Sequence, residues 1–236
     1  MAVFPMFIEL EKEICLIIGG GKVALRKAEV LLDMGAEVHV ISRRFEPELL
    51  KLQSGQKNRE CCSAPIGNLE CHEINEGPLA AAVWLEQNAR KEGIGNVTML
   101  ICATDDERVN HQMVLWARKH GIPANSATNP ADCDFYFPSV VRRGNLMVGI
   151  STGGRTPALS RMVSRQIQET LPDWYETLAE TGVEARERIH QATSDLGERK
   201  EILVKVLRAA LEDRGRLTEE DIDKIIRENR SGEEND

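Results

Sequence analysis

The pattern of hydrophobic and polar positions at the start of the chain changes between the spacing of strands and that of helices. An apolar run over residues 13–18 predicts a buried strand, and apolar residues at helical spacing over 22–34 predict a helix. Gly35 lies where such a helix would end, and the alternating, β-branched residues 37–41 predict a second strand. Strand, glycine-rich turn, helix and strand in this order are typical of a parallel βαβ unit.

Strands and helices continue to alternate further along the chain. The patterns predict a short helix over 45–52, a loop with room for one strand over 53–78, a helix over 79–91, a strand over 97–103, a helix over 107–120 and a strand beginning at 122. Repeated alternation of this kind predicts an α/β fold built on a doubly wound parallel sheet.

The character of the sequence changes after Pro138. Residues 139–143 and 146–151 predict two strands around a turn, and the pattern is almost entirely helical from Arg161 onwards. The last residues, 231–236, are polar and acidic and predict a frayed tail.

The composition is that of an ordinary globular protein. The 236 residues correspond to about one and a half domains, with 42% hydrophobic and 29% charged residues. No apolar run approaches the roughly 18 residues that a membrane span needs, and the N-terminus lacks the pattern of a secretory signal. We therefore expect a cytoplasmic protein with no membrane partner. A formal net charge of −8 and only 4% aromatic residues disfavour a nucleic-acid partner.

Six cysteines raise the question of disulfides or metal binding. In a cytoplasmic protein we expect free thiols. Cys61, Cys62, Cys71 and His72 are close in sequence, but their spacing matches no zinc pattern because the chain has no CxxC pair. We therefore interpret this region as a variable surface excursion and expect no metal site.

A glycine motif follows the first predicted strand and opens the first predicted helix. In Gly19-x-Gly21-x-x-Ala24, the first glycine allows a tight turn, the second lets a pyrophosphate approach the backbone, and the alanine lets helix and strand pack closely. The helix N-terminus, equivalent to about half a positive charge, would face the phosphates. The alternative is a plain glycine-rich turn, but the strand, turn and helix context favours a dinucleotide site.

The residues at the end of the second strand bear on the choice between NAD and NADP. An acidic residue about 20 positions after the motif would bind the ribose 2′-hydroxyl of NAD, but Ser42, Arg43 and Arg44 occupy this place. Arginines here are suited to the 2′-phosphate of NADP, and they are equally able to lie along the adenine or point to solvent. From these residues alone, NADP is slightly favoured.

Four segments, in order, carry a resemblance to a known family: CLIIGGGKVALRKAEVLLDMGAEVHVIS, ICATDDERVN, NSATNPADCDFYFPS and STGGRTPALSR. Over residues 1 to about 210, the chain resembles the precorrin-2 dehydrogenases of siroheme synthesis, including those that are fused to sirohydrochlorin ferrochelatases or double as them. The resemblance is weak over 53–96, a region that is longer than is usual in the family.

The resemblance implies a division of the chain into parts. A Rossmann-type NAD-binding domain over residues 1–137 would be followed by a β segment over 138–160 that builds a homodimer, a helical domain over 161–230 and a tail over 231–236. The resemblance also implies NAD as the cofactor and a small-molecule tetrapyrrole as the substrate, and we adopt NAD over the arginine argument for NADP. The expected activity is the oxidation of precorrin-2 to sirohydrochlorin.

Site residues are implied as well. The cofactor-binding residues that carry over are Gly19, Gly20, Gly21, Lys22, Val23, Arg43, Arg44 and Thr104. Asp105 follows a predicted strand, where open α/β sheets place their ligands, and is our candidate for the catalytic base. Asp106 is the alternative base or, instead, a cap of the next helix. For Asp105 itself, a catalytic role and a merely capping role are equally favoured.

One departure from the family concerns iron insertion. Many members carry an aspartate at the position of Thr128, and a threonine cannot act as a carboxylate base. This weakens the case for chelatase activity and shifts the proton-accepting role towards Asp105, with Asp132 and Asp134 as nearby carboxylates. A bifunctional dehydrogenase and ferrochelatase, or a non-enzymatic NAD-sensing module, are the alternative functions.

The substrate carries eight carboxylates, so an acidic protein needs local positive charge to bind it. Five arginines cluster in sequence around the STGG turn, whose glycine N–H groups are suited to an anion. They are Arg142, Arg143, Arg155, Arg161 and Arg165. The predicted substrate-binding residues are Asn125, Thr128, Ser151, Thr152, Gly153, Gly154 and Arg155. A solvated basic turn is the alternative interpretation of this region.

Overall fold

The computed structural model describes residues 3–54, 67–74 and 97–232. The chain divides into two compact units, Met1–Tyr136 and Phe137–Asp236. Within the described residues, no helix has both the length and the hydrophobicity to cross a membrane. The helix predicted over 79–91 lies outside the described residues, as do Cys61 and Cys62.

The first unit is built on a five-stranded parallel sheet with the strand order β3-β2-β1-β4-β5. Its strands are β1 (Ile14–Ile18), β2 (Glu37–Ser42), β3 (Leu69–Glu73), β4 (Val97–Cys102) and β5 (Ala124–Ser126). The strand order reverses between β1 and β4, which confirms the predicted doubly wound sheet. Ligands of such sheets bind outside the carboxyl ends of the strands at this switch point.

Three helices and one short 3₁₀ turn accompany these strands in the described part of the unit. They are α1 (Lys22–Asp33), α2 (Pro47–Gln53), α3 (Glu107–Lys119) and the 3₁₀ turn Pro130–Asp132. Helix α1 ends where the sequence predicts, because Gly35 takes a φ of 80° that a residue with a side chain rarely adopts. The N–H groups of Met34 and Gly35 donate to the carbonyls of Leu31 and Leu32 and so close the helix.

Both faces of the sheet are buried. On one face, an apolar cluster joins the strands to α3 through Leu16, Ile18, Ile41, Leu100, Cys102, Val109, Met113, Val114 and Ala117. On the other face Ile17, Val40 and Ile101 are fully buried. Burial of each large aliphatic side chain contributes about 1.5–3 kcal/mol to the stability of the fold. The strand ends and the turns that follow them are therefore attached to a well-packed core.

Two predicted boundaries are shifted, and a proline explains each shift. The strand expected from residue 122 begins at Ala124, because Ile122 still donates to the end of α3 at Ala117 and Pro123 has no N–H for the sheet. The helix expected over 45–52 begins at Pro47. A residue before a proline is held extended, and Glu46 accordingly has a ψ of 134°.

The second unit combines a β-hairpin with four helices in its described part. The elements are β6 (Ser139–Arg143), β7 (Leu146–Ile150), α4 (Pro157–Thr170), α5 (Tyr175–Ala192), α6 (Leu196–Glu212) and α7 (Glu219–Gly232). Ile189, Ile202, Val206 and Ile222 are central to the core of the last three helices. The two predicted strands and the helical pattern are confirmed, and α7 includes the first two residues of the predicted tail over 231–236.

Candidate functional site

A pocket lies outside the carboxyl ends of β1, β2 and β4, at the switch point of the sheet. Residues 18–23, 41–46 and 103–106 line it, together with Ile74 and Val109. The lining includes every predicted cofactor residue and the predicted base: Gly19, Gly20, Gly21, Lys22, Val23, Arg43, Arg44, Thr104 and Asp105. The structure therefore brings residues from three separate stretches of the chain into one place.

Gly19 forms the tight turn that the motif predicts. Its φ is 113°, and a Cβ at this position would lie 2.5 Å from the carbonyl oxygen of Ala103. The Gly19 N–H donates to Ile41, and the Ala103 N–H donates to Ile18. The turn is thus held between the ends of β2 and β4, and only glycine fits there.

Gly20 is the second position with no room for a side chain. A Cβ here would lie 2.1 Å from the carbonyl oxygen of Arg44, and the Gly20 carbonyl accepts from the N–H of Glu46 at 2.7 Å. The spacing of the motif assigns no role to this glycine. Its role is visible only once the turn after β2 has been placed against the turn after β1.

The first turn of α1 is open to an anion. Gly21 at its N-cap has no side chain to bond the first N–H groups, and the turn carries no acidic residue. A Cβ built on Gly21 meets nothing within 4 Å. Uncapped N–H groups at the positive end of a helix dipole bind phosphates, so these residues fit the diphosphate of a dinucleotide.

The turn after β2 is folded back on itself by Ser42. The Ser42 hydroxyl donates to the Arg44 carbonyl at 2.8 Å and accepts from the Arg44 N–H at 3.3 Å. The side chains of Arg43 and Arg44 are exposed, and Glu46 is the acidic residue of this part of the lining. This end of the pocket therefore offers both signs of charge to a ribose or its phosphate.

Asn110 connects the pocket to the loop after β5. Its side chain, only 1% exposed, accepts from the N–H and hydroxyl of Thr104 at 3.2 and 2.7 Å. It donates to the Thr104 carbonyl at 3.0 Å and to the Thr128 hydroxyl at 3.1 Å. Sequence reasoning missed this residue, although one signal was available. Asn110 is a polar residue on the face of α3 that otherwise buries apolar side chains such as Val109 and Met113.

The two aspartates after β4 have different surroundings. Asp106 caps α3, since its Oδ1 accepts from the N–H groups of Arg108 at 2.9 Å and Val109 at 3.2 Å. This confirms the capping interpretation for Asp106. Asp105 is exposed and lines the pocket, and it has no hydrogen-bond or ion-pair partner among the residues that the structure describes. Of the two aspartates, Asp105 is therefore the one whose carboxylate is available to a ligand.

Asn125 and Thr128 lie in the stretch that begins with β5 and are not part of the pocket lining. Asn125 is 6% exposed, and its Nδ2 donates to the carbonyl of Phe135 at 2.8 Å, so it braces the loop. Thr128 is exposed. Its hydroxyl contacts the hydroxyl of Ser126 and accepts a hydrogen bond from the amide of Asn110. The structure thus links Thr128, but not Asn125, to the pocket through a side chain.

Asp132 and Asp134 are held by structural partners. Both oxygens of Asp132 lie 3.0 Å from Nδ1 of His111, and the carboxylate is buried. Asp134 accepts from the guanidinium of Arg118 at 2.9 Å and from the N–H of Ala124 at 3.0 Å. These interactions give both carboxylates a structural role that does not require proton transfer.

The STGG turn of the second unit is closed by its own hydroxyl groups. Ser151 Oγ accepts from the Gly153 N–H at 3.1 Å, and Thr152 Oγ1 accepts from the Thr156 N–H at 3.0 Å. Gly153 and Gly154 have φ values of 61° and 74°. The expectation that the Gly153 N–H is available to an anion is wrong for this structure, because Ser151 already binds it.

The five arginines predicted as a positive cluster fall into two groups. Arg142 donates to the Gly144 carbonyl at 2.9 Å, and Arg143 donates to the Leu171 carbonyl at 2.8 Å, where it closes the end of α4. These two arginines have structural partners. The exposed members of the cluster are Arg155, Arg161 and Arg165.

A strand order of 3-2-1-4-5, a glycine turn held between strand ends and an open helix N-terminus define a Rossmann-type dinucleotide-binding domain. A family model described as "Putative NAD(P)-binding" matches residues 6–139. The chain therefore belongs to this NAD(P)-binding family. The predicted resemblance to the siroheme synthase family is confirmed by its curated relatives.

These relatives are siroheme synthases. The chain is 34% identical over 192 residues to that of Methylococcus capsulatus and 34% identical over 186 residues to that of Psychrobacter arcticus. The matches cover 81% and 79% of this chain but 35% and 30% of the relatives, so the chain spans about a third of their length. A solved structure of SirC, a precorrin-2 dehydrogenase, shares the fold, with a TM-score of 0.62 at 20% identity over 97% of this chain and 100% of that one.

Proposed function

We propose that this protein is an NAD-dependent dehydrogenase that oxidises precorrin-2 to sirohydrochlorin. The observation that carries the proposal is a dinucleotide pocket with an accessible carboxylate, Asp105, next to Thr104 at the end of β4. The similarity to siroheme synthases supports the tetrapyrrole substrate, and the fold shared with a precorrin-2 dehydrogenase is consistent with it.

The reaction removes two hydrogens from the macrocycle, one as a hydride and one as a proton. When bound, NAD⁺ would supply the hydride acceptor, and NADH would be the reduced product. The N–H groups at the start of α1 would hold its diphosphate, and the turn around Gly19 keeps these N–H groups at the strand ends. Asp105 accepts the proton, and the new double bond extends the conjugation of the ring.

The choice of NAD over NADP rests on the family resemblance and on the charges around the adenosine end. Glu46 is suited to the ribose 2′-hydroxyl of NAD, whereas Arg43 and Arg44 are suited to a 2′-phosphate. We expect NAD to be the better cofactor. Initial rates with the two cofactors at equal concentration decide the point, and a larger kcat/KM with NADP would reverse the assignment.

The activity is tested by incubating the purified protein with precorrin-2 and NAD. We expect sirohydrochlorin and NADH to appear in equal amounts, followed by their absorbance. Binding of NAD without turnover would overturn the dehydrogenase proposal and favour the alternative of a non-enzymatic NAD-sensing module. Heat-inactivated protein controls for spontaneous oxidation of the substrate.

A second candidate activity is the insertion of iron into sirohydrochlorin. The name of the siroheme synthase relatives favours it, whereas Thr128 at the place of the family's usual aspartate argues against it. Adding ferrous ion to sirohydrochlorin with and without the protein measures this activity. We expect no rate of iron insertion above the uncatalysed one. The same assay on Thr128→Asp tests whether a carboxylate at this position confers the activity.

We propose that the exposed arginines bind the carboxylates of the substrate, with Arg155 of the predicted set Ser151, Thr152, Gly153, Gly154 and Arg155 as the main contact. Arg155→Ala should raise KM for precorrin-2 several-fold, because an exposed cation next to a polyanion contributes binding energy without chemistry. Arg186→Ala, which removes an exposed arginine of α5 in the same unit, is the matched control. Equal KM values for the two variants would remove Arg155 from the site, and Asn125 and Thr128 would then be tested next.

We also propose that the protein forms a homodimer through residues 138–160. A two-stranded hairpin is marginally stable alone, and Val140 and Leu159 in this segment are 36% and 47% exposed. Light scattering on the purified protein should give twice the mass of 26.4 kDa. A monomer at micromolar concentration would contradict this.

The four described cysteines are free thiols, which supports a cytoplasmic location.

A further inference from the structure

Two histidines and a glutamate meet on the neighbouring strands β2 and β3. His39 pairs in register with Glu70, and Ile41 pairs with His72. Because side chains two residues apart lie on the same face of a strand, Glu70 and His72 both lie beside His39. His39 Nδ1 is 2.9 Å from His72 Nε2, and Glu70 Oε2 is 3.7 Å from each of these nitrogens.

The three atoms are placed so that one ion can reach all of them. In a triangle with sides of 2.9, 3.7 and 3.7 Å, the point equidistant from the corners lies about 2.0 Å from each. Bonds from zinc to histidine nitrogen are about 2.0–2.1 Å long, and those to carboxylate oxygen are about 2.0–2.2 Å. Two imidazoles and a carboxylate are ligands that zinc and its neighbours among the transition metals accept.

Glu37 completes the arrangement from the far side of His39. Its Oε1 accepts a hydrogen bond from His39 Nε2 at 3.1 Å, so Nε2 carries the proton and the lone pair of Nδ1 points towards His72. A carboxylate behind a ligating histidine is a common second partner in metal sites, since it orients the ring and makes the nitrogen more basic. His39 itself is only 3% exposed, in a strand that otherwise buries Val38, Val40 and Ile41.

In the absence of an ion, a proton holds the two histidines together. The rings are nearly coplanar, with an interplanar angle of 11° and centroids 5.2 Å apart, so His72 Nε2–H donates almost directly to His39 Nδ1. An ion would take the place of this proton, with a rotation of the rings that turns both lone pairs towards Glu70. Metal binding at this site therefore requires His72 to carry its proton on Nδ1 instead of Nε2.

We propose that His39, Glu70 and His72 bind one divalent transition-metal ion, zinc being the best match, with water at the remaining position. The ion would tie the outer strand β3 to β2 close to the dinucleotide pocket, since Ile41 and Ile74 line that pocket. The sequence places His72 next to Cys71, but the two residues point to opposite faces of β3, so the sequence neighbour is not the partner. The site does not depend on the proposed dehydrogenase activity.

The test uses the full-length, untagged chain after treatment with a chelator. Titration with ZnCl₂ by calorimetry should give one site per chain, and CoCl₂ should produce the visible bands of a low-coordinate cobalt site. Zinc should also raise the melting temperature, because it binds only the folded arrangement. MgCl₂ should neither bind at this site nor raise the melting temperature, since magnesium prefers oxygen ligands.

Three variants separate the site from adventitious binding. Glu70→Gln and His72→Asn should each weaken zinc binding at least about tenfold. Glu73→Gln, on the same strand but the opposite face, is the matched control and should bind zinc like the parent. The half-exposed Glu70 and the more accessible His72 are chosen because replacement of the buried His39 risks unfolding. No stoichiometric zinc binding in the parent chain, or equal affinity in all three variants, overturns the proposal.

Discussion

Asn110 is bonded to Thr104 through both ends of its side-chain amide. Its Oδ1 accepts from the Thr104 hydroxyl at 2.7 Å, and its Nδ2 donates to the Thr104 carbonyl at 3.0 Å. The amide is buried, so none of these bonds can be replaced by solvent without a rearrangement. Thr104, at the edge of the dinucleotide pocket, therefore depends for its position on a residue of the following helix.

Asn110→Ala should destabilise the fold and weaken dinucleotide binding together. Loss of the amide leaves polar groups of Thr104 and Thr128 without their partner, at a cost of about 1–3 kcal/mol in the free energy of unfolding. Urea denaturation measures this cost, and fluorescence titration with NADH measures the affinity. Gln112→Ala changes an exposed amide on the same helix and should alter neither. Parent-like values for Asn110→Ala would show that Thr104 is positioned by other contacts.

The two glycines at the start of α1 should respond differently to alanine. Gly20→Ala should lower the melting temperature markedly and abolish dinucleotide binding, because its Cβ would lie 2.1 Å from the carbonyl oxygen of Arg44. Gly21→Ala should cost less than about 1 kcal/mol of stability, since its Cβ meets nothing within 4 Å and its φ of −86° suits any residue. Any loss of affinity in Gly21→Ala then reports on the phosphate site alone. Equal melting temperatures for the two variants would contradict the close approach at Gly20.

The neighbouring aspartates should separate catalysis from stability. Asp105→Asn should lower kcat for precorrin-2 oxidation by about 10²–10⁴-fold with little change in melting temperature, if it is the proton acceptor. Asp106→Asn keeps a side chain that can cap a helix, whereas Asp106→Ala should lose about 1 kcal/mol of stability. The measurements are steady-state turnover and urea denaturation for the three variants. Full turnover by Asp105→Asn would leave the proposed base without a function.

Lys27 on α1 should impose a dependence of stability on pH. Burial lowers the pKa of Lys27 from 10.5 to about 8, with a smaller opposing effect of Cys133. Between about pH 8 and 10.5 the unfolded chain holds this proton and the folded chain has released it, so this group makes stability rise with pH in that range. Below pH 8 the cost of the buried charge is present in full.

Lys27→Met removes that cost, and the comparison with the parent isolates it. The stability of the variant relative to the parent should be greatest near pH 7 and should shrink by pH 9.5. Urea denaturation of both proteins at the two pH values is the measurement, and it cancels the titration of the cysteines that they share. A difference that is the same at pH 7 and pH 9.5 would show that the pKa of Lys27 is not lowered.

Most of the sheet and the dinucleotide corner could be predicted because their signals are local. The runs around Ile14–Ile18 and Val97–Cys102 are short, apolar and followed by turn residues, and the glycine motif occupies six consecutive positions. Hydrophobic periodicity and turn chemistry act over such distances. The same locality explains why the position of Asp105 just after a strand could be anticipated.

The remaining features depend on which strands become neighbours. His39 and His72 are 33 positions apart, and only the register of β2 against β3 brings their rings together. Asn110 meets Thr128 across 18 positions for the same kind of reason. A pattern along the chain contains no information on such pairings, so a search for metal ligands by spacing selects Cys71 beside His72 and overlooks His39.

The corner around Gly19 and Gly20 is closed by carbonyl groups from elsewhere, those of Ala103 and Arg44. A peptide that spans only the first strand and helix would contain the whole glycine motif. It would still lack the carbonyl groups that pack against Gly19 and Gly20 and fix the conformation of the turn. Recognition of the coenzyme is therefore a property of tertiary structure. Affinity should vanish as soon as the sheet begins to open, and a saturating coenzyme should in turn slow hydrogen exchange in the strands that build the corner.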